Sequence, residues 1–532
     1  MIYFRVKSMQ RNFRSLALSG NYDAIPVAIA GFFVIQALCA YGGIGISPDS
    51  VVYISTAQNI HDHGIINDFT NMPVMDFPAF YPIFLSSLLF LTGRSVVTFG
   101  PVLDGLLFAL LIGVCGWMMN RFSRVSRGYT FILLLFILGS PCLLEVYSMI
   151  WSETLYILLT LFFFIGCYQY FQTHRLSWLL FIGVMAGLSC VTRYAGVSLV
   201  GLGGVLMLCD GGLRWNWKKI GHMALYGFVS LSFLTLNLYR NYRLTETLTG
   251  YREKGVTSLN INIFNFGSVL CDWLPFFNER YRLASLVAWV FILLITGIFL
   301  YRLVRKTGFF SYDTIALGYF VLYTLFILYT ATVSRFQDLD SRLLSPLFLP
   351  WLWGSTIWIP AALQRCPVRW RKGAIALSLV AAVCFLRGEW HAWAANWEGI
   401  HYAGIPGYTE NTWRNSETMA YVRAHRDSLQ NAGTVYSDAF EGLWFLGGVR
   451  AELIAHKDNP EDIRYMMKED HFTVIWFDDS INDDLIDIDY MRARKQLVRE
   501  LHFKDGAVYF FRTAPAVNTM PAADSIAVPA RH

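Results

Sequence analysis

Residues 45–64 read GISPDSVVYISTAQNIHDHG and follow AIPVAIAGFFVIQALCAYGG, an apolar run long enough to cross a bilayer. Ser47 can cap a helix whose first turn holds Pro48 and Asp49, and Gly64 can end it, so Asp49 stands where the chain leaves the membrane. A helix N-terminus favours negative charge, which makes Asp49 a candidate general base; the plainer reading is the ordinary preference of acids for a first turn. In GSPCLLEVYSMIWSETLYILLTLFFF, Glu145 precedes the mouth of an apolar helix and Glu153 stands at it, where a carboxylate is either a snorkelling end residue or a site residue. GLSCVTRYAGVSLVGLG shuts Arg193 into a tight connection with only Thr192 and Tyr194 polar beside it, and an arginine so placed wants an anion. SRFQDLDSRLLSPLFLP adds Arg335, Asp338, Asp340 and Arg342 at another helix entrance. A carboxylate can take the proton of an acceptor hydroxyl, and guanidinium groups can hold a leaving phosphate, the pair of tasks that transfer from a phosphate-linked lipid requires.

The elements that must position these residues are membrane helices. Hydrophobic residues make up 55% of the chain and charged residues 15%, with a mean hydropathy of +0.41, which excludes a soluble globular protein of this length. Candidate spans are 24–44, 98–120, 129–146, 153–171, 177–192, 195–209, 222–240, 283–301, 314–333, 343–362 and 374–390, about eleven in all. The run 79–92 is too short to span and is expected at the interface or in a shallow re-entrant position. Basic clusters at Arg5/Lys7/Arg11/Arg14, Arg121/Arg124/Arg127, Arg175, Arg214/Lys218/Lys219, Arg302/Arg305/Lys306 and Arg365/Arg369/Arg371/Lys372 fall in alternate loops. They read as topology determinants rather than a nucleic-acid surface, and they predict a cytoplasmic N-terminus. Loops 45–97, 141–152, 241–282 and 334–342 and the C-terminal part then lie outside, together with most of the acids.

From about residue 391 the character changes: strand-like GTVYSDA, FTVIWFDD and GAVYFFR alternate with amphipathic stretches, predicting a small extracytoplasmic α/β domain over 391–515 after a membrane domain over 1–390. Residues 516–532 read as a disordered tail. Cys142 and Cys271 are the loop cysteines that could pair. His61 and His63 in HDH point different ways on a helix, which argues against a metal site. GLGG at 201–204 reads as helix packing.

On these stretches the chain resembles the GT-C glycosyltransferases that use polyprenyl-phosphate sugars, in particular the protein mannosyltransferase and aminoarabinose transferase branch. PDSVVYISTAQNIHDHG is similar to that family's first-loop acid and juxtamembrane helix, and FPAFYPIFLSSLLFLTG, with Tyr81, to its Pro-Pro-Leu-Tyr segment. SPCLLEVYSMIWSETLYILL resembles the Ser-Glu-Pro-Leu opening of a span, GLSCVTRYAGVSLV the Thr-Lys/Arg stretch, and DSRLLSPLFLP the Arg-Tyr-Leu-Leu-Pro segment. Ser50 follows Asp49 where two adjacent acids are frequent, and Ala79 stands where a second proline is usual, leaving sugar and acceptor open. The resemblance implies a polytopic α-helical membrane protein of GT-C type, with about eleven transmembrane helices and the C-terminal domain outside, in a bacterial inner membrane. It implies an integral membrane glycosyltransferase that moves a sugar from a polyprenyl-phosphate donor to an extracytoplasmic lipid, glycan or protein acceptor by inverting displacement. In it Asp49 is the base, Glu153 and Glu145 are further catalytic acids, and Arg193, Tyr194, Arg335, Arg342 and Tyr81 bind substrate. No cofactor is implied, and a lipid monophosphate donor does not call for a divalent metal. A transporter or flippase of a lipid-linked sugar, or a polymerase of lipid-linked repeats, would gather similar arginines; a carrier would place them near the midplane between paired halves.

Overall fold

The computed structural model describes residues 23–122, 126–213, 215–250, 252–274, 281–305, 311–335, 337–356, 358–478 and 484–513. The basic residues at 5, 7, 11, 14, 124, 214 and 306 and the tail from 516 lie outside these. The chain divides into two compact units after Asn411.

The first unit is helical: α1 (Ala24–Cys39), α2 (Pro48–His63), α3 (Phe80–Thr92), α4 (Val96–Phe122), α5 (Arg127–Gly139), α6 (Pro141–Tyr147), α7 (Glu153–Thr173), α8 (Leu176–Thr192), α9 (Val197–Cys209), α10 (Trp217–Thr245), α11 (Leu259–Asp272), α12 (Ala284–Arg305), α13 (Tyr312–Val333), α14 (Ser341–Thr356), α15 (Trp358–Arg365) and α16 (Val368–Ala403). Six of them (α4, α7, α10, α12, α13 and α16) are long and apolar enough to cross a membrane, or seven units if α5 and α6, bent by 55° at Ser140, form one span. Shorter apolar helices lie over four further stretches, α1, α3, α8 and the run Tyr194–Cys209 that contains α9. The expected span 343–362 is divided between α14 and α15, and Pro346 and Pro350 fall inside α14. Helix α16 continues past residue 390 to Ala403, so the break between units comes later than the drop in hydropathy suggested. Cys142 and Cys271 are both free and buried, so the expected loop pairing is absent. A Cβ on Gly203 would overlap the ring of Tyr226, whose hydroxyl donates to Leu199 O at 2.9 Å, so part of GLGG is a helix contact.

The second unit holds a five-stranded sheet in the order β2-β1-β3-β5-β4, with β1 Thr434–Ser437, β2 Glu452–Leu453, β3 His471–Phe477, β4 Gln496–Phe503 and β5 Gly506–Arg512. β1 runs parallel to β2 and β3, and β5 pairs antiparallel with β3 and β4. Tyr436, Phe472, Val474, Met466 and Phe511 form its apolar core. Three strands match the stretches read as strands. β4 does not appear among them, because this edge strand carries Arg499, Glu500 and His502 and lacks a buried apolar face.

Candidate active site

The acid of the first loop is held in place by a backbone zipper. Ser47 caps α2 in a reciprocal capping box with Ser50, and Gly64 closes the helix at a φ of 70°. Gly45 N donates to Ser148 O at 2.9 Å, and Ile150 N donates back to Gly45 O at 3.2 Å. A Cβ on Gly45 would overlap the Met149 sulfur and Ile405, so any larger residue there would push those side chains aside. Side chains lock the same seam: Ser50 Oγ donates to Ile150 O at 3.0 Å, Trp151 Nε1 to Ser47 Oγ at 2.7 Å, and the hydroxyls of Tyr53 and Ser152 meet at 3.2 Å. The first turns of α2 and α7 are thereby fixed side by side, each with its carboxylate.

Two arginines bind those carboxylates. Arg342, in the first turn of α14, donates Nε–H to Glu153 Oε1 at 2.9 Å and one terminal N–H to Asp49. Its guanidinium lies 4.1 Å from the ring centroid of Trp151, a cation–π contact. Arg193, in the tight turn between α8 and α9, reaches the same Glu153 oxygen at 2.6 Å and donates to Ser152 Oγ at 3.1 Å. That turn is compact because Gly196 sits against the backbone of Ser189 and Cys190, where a Cβ would clash. Glu153 is fully buried between two guanidinium groups, so its charge is compensated twice. The Nε–H of Arg193 is buried and has no acceptor among the described residues.

Asp49, Arg193 and Arg342 line a cavity of about 550 Å³ together with Arg335 and Arg252, while Leu234, Leu238, Val197, Phe326 and Ile327 line it with hydrocarbon. Cations and apolar surface in one cavity suit an amphiphile with an anionic head. Arg335 lines it while paired with Glu253 at 3.0 Å. Tyr194 lines it while its hydroxyl donates to Met75 O at 2.8 Å. That bond is one of several that strap residues 65–78 down: Arg240 donates to Val74 O and Ile66 O, both at 2.8 Å, and Arg252 to Asp76 O at 3.0 Å.

Two of the expected site residues lie elsewhere. Tyr81 is fully buried behind Tyr53, edge to face at 5.0 Å, and does not line the cavity. Glu145 lines a separate cavity and makes no ion pair with Arg193 or Arg342. Of Asp338 and Asp340, the second is spent on capping α14, accepting from Leu343 N at 2.9 Å, and burial raises its carboxyl above the ordinary range. Among the described residues no three His, Cys, Asp or Glu side chains gather as a metal cluster would. Sequence reasoning passed over Trp151, Asp76 and Arg252. Tryptophans near span ends read as an interfacial belt, and Arg252 carried a signal that went unused, a cation in a loop expected to lie on the cation-poor side.

No protein-family model matches the chain, and no curated protein matches it by sequence. Solved structures do. The crystal structure of ArnT from Cupriavidus metallidurans bound to undecaprenyl phosphate superposes with a TM-score of 0.51 at 13% identity, covering 92% of this chain and 97% of that chain. Its apo state gives 0.52 at the same identity and coverage. The arabinofuranosyltransferase AftD from Mycobacteria gives 0.43 at 12% identity, over 92% of this chain and 40% of that one. The likeness to ArnT shows a shared fold, that of a polytopic helical membrane protein.

Proposed function

We propose that the chain is an integral membrane glycosyltransferase that moves a sugar from a polyprenyl-phosphate donor to an acceptor hydroxyl outside the cytoplasm. The observation that carries this reading is Arg342, which joins the carboxylates of Asp49 and Glu153 beside a cavity lined by arginines and by apolar side chains. Undecaprenyl phosphate on ArnT supports a lipid phosphate as the head group that such a cavity receives. In the proposed reaction the acceptor oxygen attacks the sugar C1 and gives its proton to Asp49. The bond from C1 to the phosphate oxygen breaks, and its electron pair leaves with the polyprenyl phosphate. The attack comes from the face opposite the leaving group, so configuration inverts. Arg193 and Arg342 receive the charge growing on the phosphate, and the buried Glu153 holds both in position. An incoming phosphate competes with Asp49 for Arg342, so donor binding frees the carboxylate for the acceptor. The charge distribution of the loops supports a cytoplasmic N-terminus in a bacterial inner membrane, with α1, α8, α9 and the α14–α15 pair completing the set of about eleven spans.

Reconstitution into liposomes loaded with polyprenyl-phosphate sugar and offered bacterial envelope glycolipids tests the reading. Sugar recovered on an acceptor with inverted anomeric configuration is the expected result. Unmodified donor crossing between leaflets would make the protein a carrier and discard the reading.

A further inference from the structure

A second cavity, of about 940 Å³, shares a wall one residue thick with the first. The linings interleave along the chain. Ser47 and Pro48 face the second cavity and Asp49 the first; Trp151 faces the second and Ser152 the first; Ser341 faces the second and Arg342 the first. The contents differ. The arginine cavity is lined by four guanidinium groups, those of Arg193, Arg252, Arg335 and Arg342. The second is lined by no Lys or Arg among the described residues; its carboxyl groups are those of Glu145, Asp272 and Glu410.

Its far wall is an aromatic ladder on α16. Trp390 and Trp393 lie 5.2 Å apart, Trp393 and Trp397 are stacked at 5.2 Å with an interplanar angle of 26°, and Tyr41 meets Trp397 edge-on at 5.7 Å. Trp390, 63% exposed and outside the lining, behaves as a belt residue should; Trp393 and Trp397 turn into the cavity instead.

We propose that this cavity binds the acceptor, and that the acceptor is a saccharide without phosphate, neutral or amine-bearing; this rests on the transferase reading above. The apolar C–H groups of sugar rings pack against the parts of Trp393 and Trp397 that their mutual stacking leaves open to the cavity. Glu145 accepts from a ring hydroxyl or ammonium group and turns the neighbouring hydroxyl toward Asp49. Arginines on one side, and a lining without Lys or Arg among the described residues on the other, sort the two substrates by charge. A phosphorylated donor meets guanidinium groups that a phosphorylated acceptor does not.

Full-length protein in nanodiscs is titrated with three trisaccharides of equal length: chitotriose (neutral), its deacetylated triamine (cationic) and trigalacturonate (anionic). Undecaprenyl phosphate binding is followed in parallel. The neutral and cationic probes should bind at least about tenfold more tightly than the anionic one, and Trp393→Ala with Trp397→Ala should weaken both by about tenfold or more. Glu145→Lys should shift the preference toward the anionic probe, a gain that misfolding cannot imitate. Saturable binding of none of the three, or tightest binding of trigalacturonate by the wild type, overturns the proposal. If undecaprenyl phosphate still binds in that event, the transferase reading survives; if it too fails to bind, that reading falls first.

Discussion

The arginine cavity and the tryptophan cavity adjoin at three entry turns of the chain, yet they present opposite chemistry. Consecutive residues at the starts of α2, α7 and α14 face opposite ways, so each entry turn contributes to both cavities. On one side the arginines outnumber the acids and apolar side chains share the lining; on the other, acids and indoles line the space. A thin wall can separate two substrates by charge and still let one carboxylate serve both, provided that carboxylate sits on the rim. Asp49 lines the arginine cavity, bound there to Arg342, while its chain neighbour Pro48 lines the other.

The sharpest way to break this comparison is Asp49→Asn. The substitution keeps the capping box of Ser47 and Ser50 but removes the proton acceptor, so turnover should fall by about 10²–10⁴ while undecaprenyl phosphate still binds. Steady-state transfer beside lipid-binding measurements checks this, and near-normal turnover would move the base to another acid. Glu153→Gln leaves two guanidinium groups facing each other without their shared counter-ion, which should cost about 3–5 kcal/mol of stability in a thermal unfolding series. An unchanged melting curve would mean that solvent already compensates these charges. Arg342→Ala and Arg193→Ala should each weaken undecaprenyl phosphate binding by about 2–4 kcal/mol, with lysine restoring only part because it lacks the forked geometry. The arginines are structural only if both variants bind the lipid as the wild type does.

The smallest expected effect belongs to the second unit and separates its pH response from that of the site. Asp438 follows β1, accepts from Phe477 N at 3.2 Å, and burial pushes its carboxyl up to about 7 from 3.8. The folded form therefore holds its proton to higher pH than the unfolded chain, so the stability contribution is full below about pH 4 and is lost as pH rises through about 7. Hydrogen exchange of the β1 and β3 amides in the whole protein should speed up over that window, and Asp438→Asn should flatten the dependence. An identical slope in the variant would assign it to another group.

Local signals were legible because local physics makes them. Ser47, Pro48 and Gly64 predict α2 to within its observed ends, since capping and a left-handed C-terminal residue act over a few positions. Asp49, Glu153, Arg193 and Arg342 stood out for a different reason: a charge beside an apolar run is costly unless something pairs with it. The cost is visible in sequence and the partner is not. Tyr81 and Glu145 show the limit. Each lies in a stretch that resembles a family motif, but direction decides its role, and Tyr81 turns behind Tyr53 while Glu145 turns into the other cavity.

The sequence alone determined that the chain is a helical membrane protein, where the entry turns of α2, α7 and α14 begin, and which charges there had to find partners. These properties depend on hydropathy summed over a window and on contacts within one or two helical turns. The tertiary structure alone decided that one arginine joins two acids from distant loops, that Trp151 lies under it, and that a wall one residue thick divides cations from indoles. Those facts depend on which face of each helix turns inward, and that is set by the packing of all the helices together.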